Sequence, residues 1–391
     1  MGDVEKNHID NYGTHAPLGK DGTTAKIIIA GGGTGGHIFP AIAIANAIKK
    51  LEPRTDILFV GAKGKMEMEK VPQAGYKIKG LDIAGFNRSS LIKNIGLPVK
   101  LIRSFLQVKK VFGEFKPDAV IGVGGYSSFP VLRYAQSKGL ATFIHESNSF
   151  AGKSNILLGK RAKKIFVATD GMEKFFPAEK ITISGNPVRS AISQSTVSRE
   201  EGIRFFGLDV SKKTVLAVGG SLGAKSINEA IAKRIDAFGK NDLQLIWQTG
   251  KLYAEQAKII AKGLPNVWVN DFINQMENAY AAADVVISRS GAMAIAELCV
   301  VQKPVLFVPF PFAAEDHQTV NAMNLVNKNA GLLIKDSEAG EKLVDAVIAL
   351  ARDEEKQIEL KKNIKTLAIA DADTRVAKEI LNYINPVLKK A

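Results

Sequence analysis

The chain has 391 residues, of which 46% are hydrophobic and 24% charged, so it is long enough and apolar enough to bury two cores of ordinary size. Its formal net charge of +14 predicts an anionic partner, which leaves open a nucleic acid, a phosphorylated substrate or an anionic membrane surface. The single cysteine, Cys299, excludes an intramolecular disulfide and a cysteine-cluster metal site, and it favours a reducing compartment such as the cytoplasm.

Residues 1–24 are polar and lack the apolar core of a signal peptide, so we expect a disordered lead. No apolar run reaches the roughly 18 residues of a membrane span, and any membrane association is therefore expected to be peripheral. After the lead, short Ile- and Val-rich runs alternate with helical patterns, which is typical of βαβ units on a parallel sheet. The runs are KIIIA, DILFVG, DAVIGVGG, ATFIHE, KIFVAT and ITISGN.

The series then restarts at KTVLAVGG and continues through LQLIWQTG, NVWVNDF, DVVISRS and KPVLFVPF. Both restarts give a strand, a glycine loop and a helix, so we predict two Rossmann-like domains with parallel sheets facing an interdomain cleft. Asn186-Pro187 interrupts the pattern and marks the linker, which places the first domain at 25–188 and the second at 189–366.

The first glycine loop satisfies G-x-G-x-x-G with Gly31, Gly33 and Gly36. A dinucleotide site also needs an acidic residue at the end of the second strand, where this chain has GAK, so we do not favour one. The loop instead suits a phosphate or diphosphate held by backbone N–H groups at a helix N-terminus. His37 stands beside that anion, and its ordinary pKa near 6.5 suits proton abstraction from a hydroxyl.

Three further motifs contain candidate residues. GGSLG matches the nucleophile elbow of serine hydrolases, although Ser221 also suits a phosphate-contacting hydroxyl at a helix start. SRSGAMAIAEL places Glu297 one turn into a helix, where a carboxylate can accept hydrogen bonds from two sugar hydroxyls. The loop PFPFAAEDHQTVNA is rich in polar donors. No metal site is predicted, because the D-x-D at Asp371 precedes the last helix, which we expect Asp373 or Thr374 to cap.

Residues 87–112 mix apolar and basic side chains, which is typical either of an interfacial helix on anionic lipid or of a core-packed helix with solvated lysines. Nucleic-acid binding is not favoured, because aromatic stacking platforms do not alternate with the basic residues.

The motifs GGTGGHIFPAIAIA, GVGGYSSFP, HESN…AGKSN, GNPVR, GGSLGAKSIN, DFINQM, SRSGAMAIAEL and VPFPFAAEDHQTVNA occur in order from Lys26 to the C-terminus. Together they resemble the family of peptidoglycan N-acetylglucosaminyltransferases that convert lipid I into lipid II. The resemblance implies an α/β GT-B fold, a first domain that holds the lipid-linked acceptor, a second that holds UDP-N-acetylglucosamine, and a final segment, 367–391, that returns as a helix to the first domain.

The resemblance also implies roles for individual residues. Our own hypothesis, from its place at the first glycine loop, makes His37 the general base of an inverting transfer to the C4 hydroxyl of the acceptor's N-acetylmuramyl unit. Arg189 and Ser221 would face the donor diphosphate, Ile273 would meet the uracil through its backbone, and Glu297 would hold the ribose. The implied donor site contains Thr34, Gly35, Gly36, Asn148, Arg189, Ser221, Ile273, Ala292, Met293, Ala294, Ile295, Ala296, Glu297 and Gln318. The implied acceptor site contains Gly33, Gly124, Gly125, Tyr126, Ser127, His145 and Glu146.

This interpretation implies no cofactor and a peripheral location on the cytoplasmic face of the inner membrane, with other cell-wall synthesis proteins as possible partners. It also favours the interfacial function for residues 87–112. The alternatives are transfer to another lipid acceptor, a UDP-sugar epimerase of the same fold, a serine hydrolase, and a non-catalytic subunit that binds a sugar nucleotide.

Overall fold

A computed structural model of the chain describes residues 24–85 and 96–384. The predicted disordered lead lies outside the described residues except for Thr24. Residues 87–95 of the predicted interfacial stretch and residues 385–391 of the final segment also lie outside them.

The first sheet is built from the strands of the predicted first series and one further strand, with the order β3-β2-β1-β4-β5-β6-β7. All of its recorded strand pairs are parallel. Its strands are β1 (Lys26–Ala30), β2 (Asp56–Ala62), β3 (Lys77–Leu81), β4 (Ala119–Gly122), β5 (Ala141–Glu146), β6 (Lys164–Val167) and β7 (Ile181–Ile183).

The second sheet has the order β10-β9-β8-β11-β12-β13, again with parallel pairs. Its strands are β8 (Lys213–Val218), β9 (Leu243–Gln248), β10 (Val267–Asn270), β11 (Val285–Ser288), β12 (Val305–Phe307) and β13 (Leu332–Leu333). Together with the helices between them, the two sheets form two doubly wound α/β domains.

The helices of the first domain cover both faces of its sheet. They are α1 (Gly35–Leu51), α2 (Glu67–Gln73), α3 (Leu97–Phe115), α4 (Ser128–Ser137) and α5 (Lys153–Gly159). The helices after α5, apart from the last helix of the described chain, are α6 (Ser190–Ser193), α7 (Arg199–Phe205), α8 (Lys225–Lys233), α9 (Asp236–Lys240), α10 (Ala254–Ala261), α11 (Met276–Ala282), α12 (Ala292–Val301), α13 (His317–Val326), α14 (Ala339–Arg352) and α15 (Glu354–Lys365).

Each sheet reverses its strand order once, between β1 and β4 in the first domain and between β8 and β11 in the second. Ligands of doubly wound sheets bind outside the carboxyl ends of the strands at such a switch point. The loops at these two points are the glycine loops and SRSG, which the sequence analysis singled out. The fold therefore places the candidate motifs at its two expected ligand sites.

The last helix, α16 (Ala372–Ile384), packs against α1, and its apolar side chains belong to the core of the first domain. The expectation that Asp373 or Thr374 caps this helix is wrong, because the helix begins before both residues. The two connections between the domains touch, since a Cβ on Gly185 would lie 2.8 Å from the Cβ of Ile369. The domain boundaries at 188 and 366 stay predictions.

Candidate active site

Two glycine loops of the first domain interlock at the β1/β4 switch point. The N–H of Gly32 donates to the carbonyl oxygen of Gly124 at 3.3 Å, and a side chain on Gly125 would meet the carbonyl of Gly32. Gly33, Gly124 and Gly125 have φ of +89°, +98° and +80°, which is strained for other residues. Glycine is thus required where the two loops approach.

His37 lies in the first turn of α1, with its ring against the second glycine loop. Its Nδ1 is 3.2 Å from the carbonyl oxygen of Gly32 and 3.3 Å from Oγ1 of Thr34. A carbonyl only accepts hydrogen bonds, so the neutral imidazole carries its proton on Nδ1. The lone pair is then on Nε2, which is the nitrogen that can take a proton from a substrate hydroxyl.

Removal of the imidazole from water lowers the pKa of His37 below its usual 6.5. The charge of Glu146, the Gly32 carbonyl and the charge of Glu67 act in the opposite direction, whereas His317 lowers this pKa further. His317 lies on α13 of the second domain, so the structure brings both domains to the same imidazole. A lowered pKa favours the neutral imidazole at physiological pH, which is the form that can accept a proton.

Two predicted acceptor residues, His145 and Glu146, lie inside the first domain. His145 is fully buried, which lowers its pKa to about 4, and its Nε2 is 3.2 Å from the carbonyl of Gly185 in the linker. The carboxylate of Glu146 accepts the backbone N–H groups of Asn148 and Gly152, both at 3.1 Å, and the side chain of Asn155 at 2.8 Å. Glu146 therefore shapes the loop after β5, whereas His145 contacts the linker.

Tyr126 and Ser127 continue the second glycine loop. The ring of Tyr126 packs beside Gly33 and Gly85, where a Cβ on Gly85 would lie 2.9 Å from the ring. Partial burial of this ring raises the pKa of the tyrosine. Ser127 is buried and directly precedes α4, whose N-terminus lies at the same edge of the sheet.

Arg189 and Glu297, predicted to hold the donor, form an ion pair across the start of the second domain. Nε and Nη2 of Arg189 lie 3.1 and 3.0 Å from Oε1 of Glu297, and the hydroxyl of Tyr280 donates to Oε2 at 3.0 Å. Burial raises the pKa of Glu297, which its two partners counteract. The guanidinium also lies 5.8 Å from the ring of Phe39 in α1, so it stands between the two domains.

The third glycine loop joins β8 to α8 and presents Ser221 to solvent. Gln248, which is buried, donates to the carbonyl of Gly220 at 3.0 Å and accepts the N–H of Ile273 at 3.1 Å. The N–H of Ile273 therefore already has a hydrogen-bond partner within the protein. A backbone contact between Ile273 and a ligand would need the carbonyl of Ile273.

The predicted donor run 292–297 is divided between two faces of α12. Glu297 faces Arg189 and Tyr280, whereas Ala292, Ile295 and Ala296 line a cavity of about 240 Å³ between the domains. Met293 and Ala294, also in the first turn, are partly exposed. The structure therefore does not bring the whole run to one surface.

Two other predicted donor residues take part in contacts within the protein. The side-chain oxygen of Gln318 accepts the N–H of Phe310 at 2.9 Å, which ties α13 to the preceding loop. Asn148 accepts a hydrogen bond from Asn321 at 3.3 Å, and Asn321 also accepts the N–H of Ser149 at 3.0 Å. The two bonds of Asn321 join the two domains beside the cleft.

Known proteins with the same domains and fold identify the family. Residues 27–167 match the glycosyltransferase family 28 N-terminal domain, and residues 214–376 match the glycosyltransferase family 28 C-terminal domain. A UDP-N-acetylglucosamine--N-acetylmuramyl-(pentapeptide) pyrophosphoryl-undecaprenol N-acetylglucosamine transferase of Phocaeicola vulgatus is 51% identical over 93% of this chain and 98% of its own. Its namesake in Flavobacterium psychrophilum is 50% identical over 92% and 98%. The chain belongs to this family of N-acetylglucosamine transferases.

Solved structures agree with that assignment. The crystal structure of MurG from Acinetobacter baumannii superposes with a TM-score of 0.73 and 27% identity, covering 91% of this chain and 99% of its own. A putative UDP-N-acetylglucosamine 2-epimerase from Listeria monocytogenes has a TM-score of 0.66 at 16% identity, covering 93% and 98%, and shares the fold alone. The predicted GT-B fold and the predicted family are confirmed.

Some residues of this transferase site were not found by sequence reasoning. Glu67 supports the first glycine loop from α2, Tyr280 holds Glu297, and Phe39 contacts Arg189. Arg289 is buried and donates to the carbonyls of Val308 and Pro309 at 2.9 and 3.1 Å. None of them has a local motif of its own. Arg289 and Phe39 had an available signal, because Arg289 lies inside SRSG and Phe39 lies inside GGTGGHIFPAIAIA.

Proposed function

We propose that the chain transfers N-acetylglucosamine from UDP-N-acetylglucosamine to the N-acetylmuramyl unit of a pyrophosphoryl-undecaprenol acceptor, giving lipid II from lipid I. Membership in the family of transferases with that name supports the proposal. The observation that carries the chemistry is the position of His37 beside the first-domain loops, with Nδ1 at the Gly32 carbonyl, which leaves Nε2 as the basic nitrogen.

In the proposed reaction, the acceptor C4 hydroxyl oxygen forms a bond to the anomeric carbon of the donor. The bond from that carbon to the donor diphosphate breaks, UDP leaves and the configuration inverts. The hydroxyl proton goes to Nε2 of His37. Negative charge grows on the departing diphosphate, and the positive N-termini of α8 and α12 together with Arg189 stabilise it.

We assign the acceptor diphosphate to the N-termini of α1 and α4, with Tyr126 beside them. The first N–H groups of a helix have no intrahelical acceptor and suit an anion. The N–H of Gly33 already donates to Glu67 at 2.8 Å, so Gly33 contributes its shape rather than this amide. Donor binding requires Arg189 to exchange part of its pairing with Glu297 for the diphosphate, which frees the carboxylate for the ribose.

The proposed location is the cytoplasmic face of the membrane, reached through α3. Val99, Ile102 and Leu106 are 53%, 63% and 64% exposed on one face of this helix, and Arg103 and Lys110 flank them. Such a face inserts apolar side chains at the lipid boundary while its basic side chains attract anionic headgroups. Within the described residues, no helix is long and apolar enough to span a bilayer.

The test is transfer of labelled sugar from UDP-N-acetylglucosamine to a short-chain lipid I analogue by the wild-type chain and by His37→Gln. We expect the wild type to form the lipid II analogue and the variant to lose about 100-fold or more in kcat, because a general base contributes that much. UDP affinity, measured by calorimetry, should not change. Wild-type kcat in His37→Gln would assign the base elsewhere, and no transfer by the wild type would refute the proposed function.

A further inference from the structure

Glu67 is a buried carboxylate that the proposed reaction does not use. It begins α2 and is 1% exposed, directly beneath the first glycine loop. Its two oxygens accept the N–H of Gly33 at 2.8 Å and the N–H of Ala62 at 2.9 Å. A Cβ on Gly61 would lie 2.5 Å from the side chain of Glu67, and one on Gly32 would meet its carboxylate. Two glycines thus make room for this one carboxylate.

The peptide unit between Gly32 and Gly33 connects Glu67 to His37. Its N–H belongs to Gly33 and donates to Glu67, and its C=O belongs to Gly32 and lies 3.2 Å from Nδ1 of His37. In a trans peptide these two groups point in opposite directions, so the carboxylate and the imidazole are at opposite ends of one peptide. Hydrogen bonds in series polarise one another, which makes the carbonyl a stronger acceptor for the Nδ1 proton.

We propose that Glu67 is a positioning residue that fixes the orientation and tautomer of His37 through the Gly32–Gly33 peptide. The inference rests on the proposed function, in which His37 is the base. A carboxylate commonly orients a catalytic histidine by accepting its Nδ1 proton directly. Here a backbone peptide stands between them, so the carboxylate sets both the loop and the ring.

The first experiment reads the tautomer without any assay of activity. Nitrogen NMR of the full chain, labelled at histidine nitrogens, gives the His37 signals by their loss in His37→Gln. We expect Nδ1 to be protonated in the neutral wild type and Glu67→Gln to shift both ring nitrogens toward a mixture of tautomers. The matched control is Glu69→Gln, an exposed carboxylate on the same helix. A proton on Nε2 in the wild type, or wild-type shifts in Glu67→Gln, overturns the proposal.

The second experiment is the pH profile of sugar transfer to the lipid I analogue. We expect Glu67→Gln to lower kcat about 10-fold or more, by analogy with the groups that orient metal-ligating histidines, whose loss typically costs about 10- to 100-fold. The acid limb should also move to lower pH, since the charge of Glu67 raises the pKa of His37. Glu146, His145 and His317, the other titratable groups facing His37, are unchanged in this variant. If Glu67 only stabilised the loop, the acid limb of Glu67→Gln would stay at its wild-type pH.

Glu67→Asp separates the effect of the negative charge at this position from the effect of its hydrogen bond to the loop. The shorter side chain keeps the negative charge but withdraws from the Gly33 N–H, so kcat should fall while the acid limb stays close to its wild-type pH. Wild-type kcat in Glu67→Asp would contradict the proposal. If Glu67→Gln does not fold, the kcat of Glu67→Asp and the wild-type NMR measurement test the proposal. If the wild type transfers no sugar, the proposed function fails, and the NMR measurement still tests Glu67.

Discussion

The imidazole of His37 lies close to backbone on two sides. The Gly32 carbonyl contacts Nδ1, and Gly124 leaves room for the ring, since a Cβ on Gly124 would lie 2.7 Å from Nε2. Neither glycine offers a side chain that a motif search would notice. The opening residues of α1 therefore supply an imidazole whose tautomer is determined by the fold around it.

The pH dependence of transfer follows from the environment of His37. Loss of water around the ring lowers its pKa below 6.5, and the neutral ring is the active base. We expect kcat/KM to fall along an acid limb whose midpoint lies below pH 6.5, because there the ring takes up a proton. Steady-state rates between pH 5 and 8 measure the position of this acid limb. An acid limb centred above pH 6.5 would contradict the assignment of a lowered pKa.

Residue-scale chemistry was only partly evident in the sequence. His37 was predicted because a titratable side chain stands at a glycine loop, and Glu297 because a carboxylate follows a small-residue turn. Their partners were not found, since Gly32 acts through its backbone and Tyr280 lies 17 positions from Glu297. The cluster KMEMEK contains two glutamates of similar pattern, and only tertiary packing buries Glu67 and exposes Glu69.

The two interlocked glycine loops act as one element. Gly124→Ala introduces a Cβ at 2.5 Å from the His37 ring and also strains a backbone with φ of +98°. We expect kcat to fall about 10-fold or more, because a displaced base loses its alignment with the hydroxyl. Sugar transfer at saturating donor measures the loss.

The matched control for this variant is Gly139→Ala. Gly139 has φ of +70° and nothing within 4 Å of the added Cβ, so it carries the backbone strain without the collision. That strain costs roughly 1–2 kcal/mol in the free energy of unfolding. Gly139→Ala should keep wild-type kcat. An equal kcat in both alanine variants would mean that the loop tolerates displacement of His37.

The exposed face of α3 is the second element with a testable function. Reversal of charge at Lys100, Arg103 and Lys110 should lower affinity for anionic liposomes at least about 100-fold, because each basic residue contributes about 1 kcal/mol. Cosedimentation with vesicles of increasing anionic lipid content measures it. The control reverses three exposed lysines on α15, Lys361, Lys362 and Lys365. Equal binding by wild type and the α3 variant would refute the interfacial function.

Secondary structure followed the sequence pattern where strands are buried. All eleven Ile- and Val-rich runs contain a strand of the structure. β3 was missed because it is a partly exposed edge strand, KIKGL, whose alternate lysines and glycine hide the apolar pattern. β13 was missed because two residues are too few to give a periodic signal.

At the scale of the whole molecule, α16 links the end of the chain to the first domain. Ile380 is fully buried in the core that α1 and the first sheet share. Ile380→Ala should lower the free energy of unfolding by about 2–5 kcal/mol. Urea denaturation measures the loss in the free energy of unfolding. Hydrogen exchange of the α1 amides then shows whether the loss falls in the first domain, which contains His37.

Lys378→Ala is the control on the same helix, because Lys378 is exposed. It should leave the free energy of unfolding within about 0.5 kcal/mol of wild type. Equal protection of α1 amides in wild type and in Ile380→Ala would show that the last helix does not stabilise the first domain.

The sequence by itself determined the class of fold, the two glycine-loop faces and the family, and it predicted His37 as the base. It could do so because buried parallel strands and backbone anion sites impose patterns over a few neighbouring residues. Tertiary structure alone decided that Glu67 lies behind the first loop, that Arg189 pairs with Glu297, and that His317 approaches His37 from the other domain. Such contacts join distant parts of the chain, and burial and distance between those parts are properties of the folded molecule.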